Sequence, residues 1–172
     1  VPYEPWQPGM IISQSRLASI SPTWGDWTPV WTTSGASTPS FGDASVSARW
    51  AQSALTVHFR VDIVFGALTN FGSGTDNWRL STPVPAASTI GGCGSGEIQR
   101  NNPPSGYGAG AGTRQPIRVR LTTTQTFEFE MSGGNINAIS TVSGAGLIDA
   151  ATPWSWDTGS SLRFWGTYEA AP

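Results

Sequence analysis

From Leu55 to Phe65 every second residue is apolar: Leu55, Val57, Phe59, Val61, Ile63 and Phe65 alternate with Thr56, His58, Arg60, Asp62 and Val64. Alternate residues of a strand point to opposite faces, so this run predicts a strand with one buried and one wetter face. A helix would scatter the same residues around its circumference. Further strands are expected at Trp27–Thr33, Ser45–Ala51, Asn77–Thr82, Glu97–Arg100, Pro116–Thr122, Thr126–Met131 and Ser161–Tyr168. They are short, rich in β-branched and aromatic residues, and separated by Gly, Pro, Ser and Asn. The fold class this defines is all-β: an antiparallel β-sandwich or jelly roll.

Two of these segments also fix a register. Placing Val119 of Ile117-Arg-Val-Arg-Leu121 opposite Phe129 of Phe127-Glu-Phe-Glu-Met131 sets Leu121 against Phe127 and Ile117 against Met131. The same pairing sets Arg120 against Glu128 and Arg118 against Glu130 on the other face. One hairpin register thus satisfies both faces. If exposed, these ion pairs contribute only about 0–1 kcal/mol each.

Residues Gly91–Gly112 hold eight glycines and a Pro-Pro pair, and apart from Glu97–Arg100 are expected to form a long surface loop. Glycine there would alternatively allow chains to pack closely. The opening segment, Val1 to Gly9, carries three prolines and reads as an extended arm. Met10–Ile20 is the place for at most one short helix, with Ser13 as its N-cap and Pro22 closing it. Residues 1–24 are therefore assigned to an N-terminal arm serving attachment or oligomerisation, and residues 25–172 to the β-sandwich.

Nine arginines and no lysine stand against 11 acidic residues, a formal charge of −2 without a basic block. Nucleic acid is not an expected partner, since phosphate binding needs a concentrated positive face. No charged start followed by an apolar run marks a signal peptide, and no apolar stretch approaches the roughly 20 residues of a helical span. No membrane partner is expected. Cys93 is the sole cysteine, which excludes an intrachain disulfide, and its neighbours supply no base to activate it.

Catalytic constellations are poorly supplied. One His and one Cys cannot assemble a usual zinc site, and no metal or cofactor is expected. His58 and Asp62 share a strand face roughly 13 Å apart, too far for that Asp to orient that His. Glu128 and Glu130, about 6.6 Å apart, have the spacing of a glycosidase carboxylate pair. A general acid must hold its proton, however, and facing Arg118 and Arg120 would favour the ionised carboxylates. No catalytic residue is assigned.

Nine tryptophans are the remaining resource. Each can remove about 200 Å² from water, in a core, a subunit interface or against the apolar face of a sugar ring. Trp50, Trp78 and Trp165 fall inside strands and are expected in the core or an interface. Tyr107, Trp154 and Trp156, flanked by turn residues, are the aromatic residues expected to be exposed for binding.

The order of several motifs resembles a known group. Pro5-Trp-Gln-Pro-Gly-Met10, Arg16-Leu-Ala-Ser-Ile-Ser-Pro-Thr-Trp24, Trp27-Thr-Pro-Val-Trp-Thr-Thr33 and Thr38-Pro-Ser-Phe-Gly42 are similar to segments of small structural proteins of tailed bacteriophages, especially those of actinobacteria. Phe65-Gly, Asn70-Phe-Gly, Asp76-Asn-Trp-Arg, Leu80-Ser-Thr-Pro-Val84 and Gly166-Thr-Tyr-Glu-Ala170 continue the likeness. It covers most of the chain, least so Gly91–Gly112. The group comprises minor tail proteins and distal parts of tail fibres, with no catalytic residues to carry over. The resemblance implies a β-rich, non-enzymatic component exposed on the virion surface. It also implies a homotrimer attached to other virion proteins through the arm, with Tyr3, Trp6 and Met10 as attachment residues, and loops that touch host-surface glycan. Tail attachment is the leading expectation. Capsid decoration as a head spike, or a stand-alone carbohydrate-binding module, are the alternatives.

Overall fold

A computed structural model of the chain describes residues 8–11, 13–14, 22–101, 114–131 and 146–172. Its elements are nine strands: β1 (Gly25–Asp26), β2 (Trp31–Thr33), β3 (Ser45–Ser53), β4 (Thr56–Val64), β5 (Trp78–Ser81), β6 (Ile90–Gln99), β7 (Arg114–Thr123), β8 (Thr126–Met131) and β9 (Ser161–Glu169). All pair antiparallel in one sheet of order β1-β3-β4-β9-β6-β7-β8-β5-β2. The sheet curls so that strands distant in this order bury one face against each other. Phe59 of β4 and Phe127 of β8, four strands apart, bring their rings to 4.5 Å. The architecture is all-β and sandwich-like. The outermost strands are short, of two and three residues. The short helix expected within Met10–Ile20 falls largely outside the described residues.

The alternation in β4 works as expected from Val57 onward: Val57, Phe59, Val61, Ile63 and Phe65 are buried. Leu55 is the exception. It sits with Ala54 in the two-residue connection between Ser53 and its partner Thr56, and is exposed. The β7–β8 hairpin adopts the register its two faces demand, with Val119 opposite Phe129, Leu121 opposite Phe127 and Ile117 opposite Met131. Its glycine-free turn is closed by the Thr123 and Thr126 hydroxyls, 2.6 Å apart, and by Gln125 N–H donating to Thr123 Oγ1.

The ion pairs on the opposite face differ from the sequence expectation. Arg120 and Glu128 are register partners, but Glu128 accepts instead from Arg79 Nε on β5, at 2.6 Å, and its side chain is only 4% exposed. β8 is not an edge strand, so Glu128 has an arginine on each side. Glu130 takes both Arg118 and, at 3.6 Å, Arg120.

The larger correction concerns Gly91–Gly112. The strand expected at Glu97–Arg100 is present but begins earlier, in residues expected to form a loop: Ile90–Gln99 forms β6, which pairs with both β9 and β7 in the interior of the sheet. Gly94 and Gly166 are direct partners in the row Trp50, Phe59, Gly166, Gly94, Val119, Phe129. A Cβ on Gly166 would lie 2.6 Å from Gly94 Cα and 2.8 Å from Phe59 Cζ, and would strike the Cys93 carbonyl oxygen. The glycines leave room for the Phe59 ring above the backbone. The pattern of small residues that suggested a loop records this close approach.

A second aromatic cluster fills one end of the fold. Trp31 meets Trp78 edge-on at 4.8 Å, Trp78 meets Trp156 at 4.7 Å, and Phe65 and Phe71 pack among them. Offset and edge-on arrangements are those favoured by ring quadrupoles.

Candidate ligand-binding face

The outer face of the curled sheet carries one continuous cross-strand row: Asp26, Arg49, Arg60, Trp165, Ser95, Arg118 and Glu130, from β1, β3, β4, β9, β6, β7 and β8 in turn. Strict alternation places them together. In the long strands each sits between inward residues, as Arg60 does between buried Phe59 and Val61. Trp165 is 53% exposed in the middle of β9, flanked by buried Phe164 and by Gly166. Trp24, the residue preceding β1, is 43% exposed. Trp24, Arg49 and Arg60 line a cavity of about 280 Å³ on this face.

Arg49 is held in place at its edge. Its Nε donates to Asp26 Oδ1 at 3.1 Å and its Nη2 to the Trp24 carbonyl at 3.1 Å, so the guanidinium ties β1 and the residue before it to β3. Arg60 has no carboxylate within 4 Å among the described residues. The other arginines of the face lie beside carboxylates. Arg163 lies 3.1 Å from Asp62 and 3.7 Å from Glu97, Arg114 lies 3.9 Å from Glu97, and Arg118 and Arg120 share Glu130.

Of the aromatic residues expected to be exposed, the two that are described, Trp154 and Trp156, are placed differently. Trp156 is buried, 8% exposed, with its indole N–H donating to the Asp149 carbonyl at 2.9 Å. The Asp149 carboxylate accepts from the backbone N–H groups of Ala151 and Thr152, both at 2.7 Å, and this tight loop turns Trp156 inward onto Trp78. Flanking turn residues therefore build the fold of the loop here and do not signal exposure. Trp154 is half-buried against Trp156 at 5.6 Å, and its indole N–H has no partner among the described residues. Met10 is half-buried. Tyr107, Tyr3 and Trp6 lie outside the described residues.

Trp24 and Trp165 were missed as binding candidates. Trp165 carried a usable signal: in Ser-Leu-Arg-Phe-Trp-Gly-Thr-Tyr-Glu it stands in register with Arg163, on the face opposite Leu162, Phe164 and Tyr168.

The other titratable candidates are structural in their surroundings. Glu128 and Glu130 are both engaged by guanidinium groups, and neither lines the Trp24–Arg60 cavity. His58 is half-buried between Ala51 and Thr167 on the neighbouring strands. Cys93 is buried, its thiol 3.6 Å from the Val119 carbonyl, and burial pushes it up to about 12, against the direction a nucleophile requires. Among the described residues no group of three His, Cys, Asp or Glu side chains is disposed to hold a metal ion. No helix among them is long and apolar enough to cross a membrane.

No protein-family model matches the chain, and neither the curated proteins nor the solved structures contain a significant match to it.

Proposed function

We propose that this chain is a non-enzymatic structural protein of a tailed-phage virion surface, tail-associated, and that it presents the outer face of its sheet to host-surface glycan. The observation that carries the binding part of this reading is Trp165, an indole half exposed at mid-strand on a sheet interior to both edges. Among the described residues no ring packs against it, and a small or polar residue would serve the strand equally well. The virion part is supported by the order of motifs from Pro5 to Ala170. An ion-paired, all-β scaffold with short edge strands also suits display on a particle surface. The engagement of both Glu128 and Glu130 by arginines favours a binding role over glycosidic bond cleavage.

In this reading residues 1–24 attach the protein to its neighbours on the particle, and three copies assemble together. The direct test is peptide identification by mass spectrometry in purified particles of the phage that encodes the chain, with light scattering on the isolated protein. Stoichiometric peptides and a mass near 54 kDa, three times 18.1 kDa, are expected. Particles free of the protein would reject the virion assignment, and an 18.1 kDa species at micromolar concentration would reject the trimer.

A further inference from the structure

We infer that the strip formed by Trp24, Arg49, Arg60 and Trp165 is a binding site for an oligosaccharide bearing an anionic group, a carboxylate or a phosphate ester. The inference rests on the surface-binding reading above and specifies the ligand class of the same face.

The first argument is electrostatic. Arg49 and Arg60 are direct partners across β3 and β4. Like charges placed opposite one another in a sheet are unfavourable, and elsewhere on this face opposite charges are set side by side. Asp62 is set beside Arg163, Glu97 beside Arg163, and Glu130 beside Arg118. At Arg60 the compensation is missing among the described residues. The carboxylate on Arg49 among the described residues, Asp26, is 85% exposed at a two-residue edge strand, where solvent screens it. An anion seated between the two guanidinium groups relieves the repulsion, and the planar guanidinium donors match two oxygens of a carboxylate or phosphate.

The second argument is shape. Arg60 is also the direct partner of Trp165, so the cationic pair and the exposed indole are successive positions of one row, spanning about 10 Å at two inter-strand spacings. On the other side Trp24 walls the cavity of about 280 Å³ over Arg49 and Arg60, close to the lower end of the roughly 300–1,000 Å³ of small-ligand pockets. The Trp24 carbonyl and Asp26 hold the Arg49 guanidinium in place before any ligand arrives, which reduces the ordering cost of binding. A ring with an apolar face and an acidic substituent fits an indole beside two arginines. A bare anion would leave the indoles unused, and a neutral sugar would leave Arg60 without a counter-charge.

The test is calorimetric titration of the full chain with a hexagalacturonate, a neutral galactose hexamer, a phosphorylated oligomannoside, inorganic phosphate and acetate. At least one acidic oligosaccharide is expected to bind saturably, at least tenfold more tightly than the neutral hexamer and than either free anion, and more weakly as salt is raised. Comparison of the two acidic probes identifies which anion the site takes. Arg60→Gln and Trp165→Ala are each expected to weaken binding at least tenfold without changing the thermal transition, because both side chains are exposed. Four results would each overturn the proposal: no binding of either acidic probe at millimolar concentration, equal affinity for the neutral hexamer, equal affinity for a free anion, or wild-type affinity in both variants. Since titration uses the isolated protein, such a failure is separate from failure of the virion assignment, which is read on particles.

Discussion

Glu128 on β8 accepts a 2.6 Å hydrogen bond from Arg79 on β5, although the register of its hairpin sets it opposite Arg120 on β7. The carboxylate is almost fully enclosed, whereas Glu130, two residues along the same face, is 27% exposed. Removing the charge of Glu128 strands a partly buried guanidinium, and Glu128→Gln is expected to cost about 2 kcal/mol or more. Glu130→Gln, with its arginines in partial contact with water, is expected to cost less than about 1 kcal/mol. Phe129→Ala, which empties a buried ring site, sets the upper reference at about 3–5 kcal/mol. Urea denaturation of the three variants measures the order. Equal costs for the two glutamate variants would mean that the Arg79 contact contributes no more than the exposed pair.

The close approach of β6 and β9 makes a sharper demand at Gly166. An added methyl meets backbone atoms of Gly94 and Cys93, which cannot swing aside as a flexible side chain can. Gly166→Ala is expected to destabilise by about 3 kcal/mol or more. Gly91→Ala, where a Cβ meets nothing within 4 Å, is expected to stay within about 0.5 kcal/mol. Matching melting temperatures for the two variants would reject the packing described for this row.

Those glycines also show what the sequence could and could not reveal. The alternation of β4 and the β7–β8 register were legible because periodicity and cross-strand chemistry both lie in local sequence. Of β6 only its end was, within the strand expected at Glu97–Arg100, since the run of small residues before it looks the same in a loop and in a strand pressed against its neighbour. Its role depends on Phe59 and Gly166, far away in the chain. The same limit governed the tryptophans. Trp156 reads as exposed from its turn neighbours, yet the Asp149 loop turns it inward. Trp165 reads as core or interface from its strand, and it falls on the outer row, outside the core. Arg49 and Arg60 are distant from Trp165 in sequence, so the face they share became visible only with the strand order.

The tryptophans accordingly separate stability from surface exposure. Trp156→Ala removes a ring packed on Phe65 and Trp78 and is expected to cost about 3–5 kcal/mol. Trp165→Ala is expected to change stability by less than about 0.5 kcal/mol. Acrylamide quenching should lose its most accessible component in the Trp165 variant and keep it in the Trp156 variant. The reverse pattern would exchange the two assignments.

Burial raises the Cys93 thiol from 9.0 to about 12, and burial likewise raises the Tyr168 phenol from 10.0 to about 12, partly offset by the Val84 N–H that donates to the phenolic oxygen. Each group is neutral when protonated, so the folded state holds its proton more tightly than the unfolded state does. The stabilisation is complete below pH 9.0, the ordinary thiol value, and is lost as the pH rises towards about 12. Urea midpoints are expected to be unaffected by these groups at neutral pH and to fall across that alkaline window, with Cys93→Ala delaying the onset. A maleimide reagent should leave native Cys93 unlabelled at neutral pH and label it fully in urea. Rapid labelling of the native protein would show the thiol to be accessible and the β6 packing to be wrong.

The central claim, display on the virion surface, is tested most directly by electron microscopy of intact purified phage particles with a gold-conjugated antibody against the folded β domain. Gold on the tail of undisrupted particles is the expected result. Unlabelled particles, with the antibody reacting only with protein that never enters them, would contradict the claim.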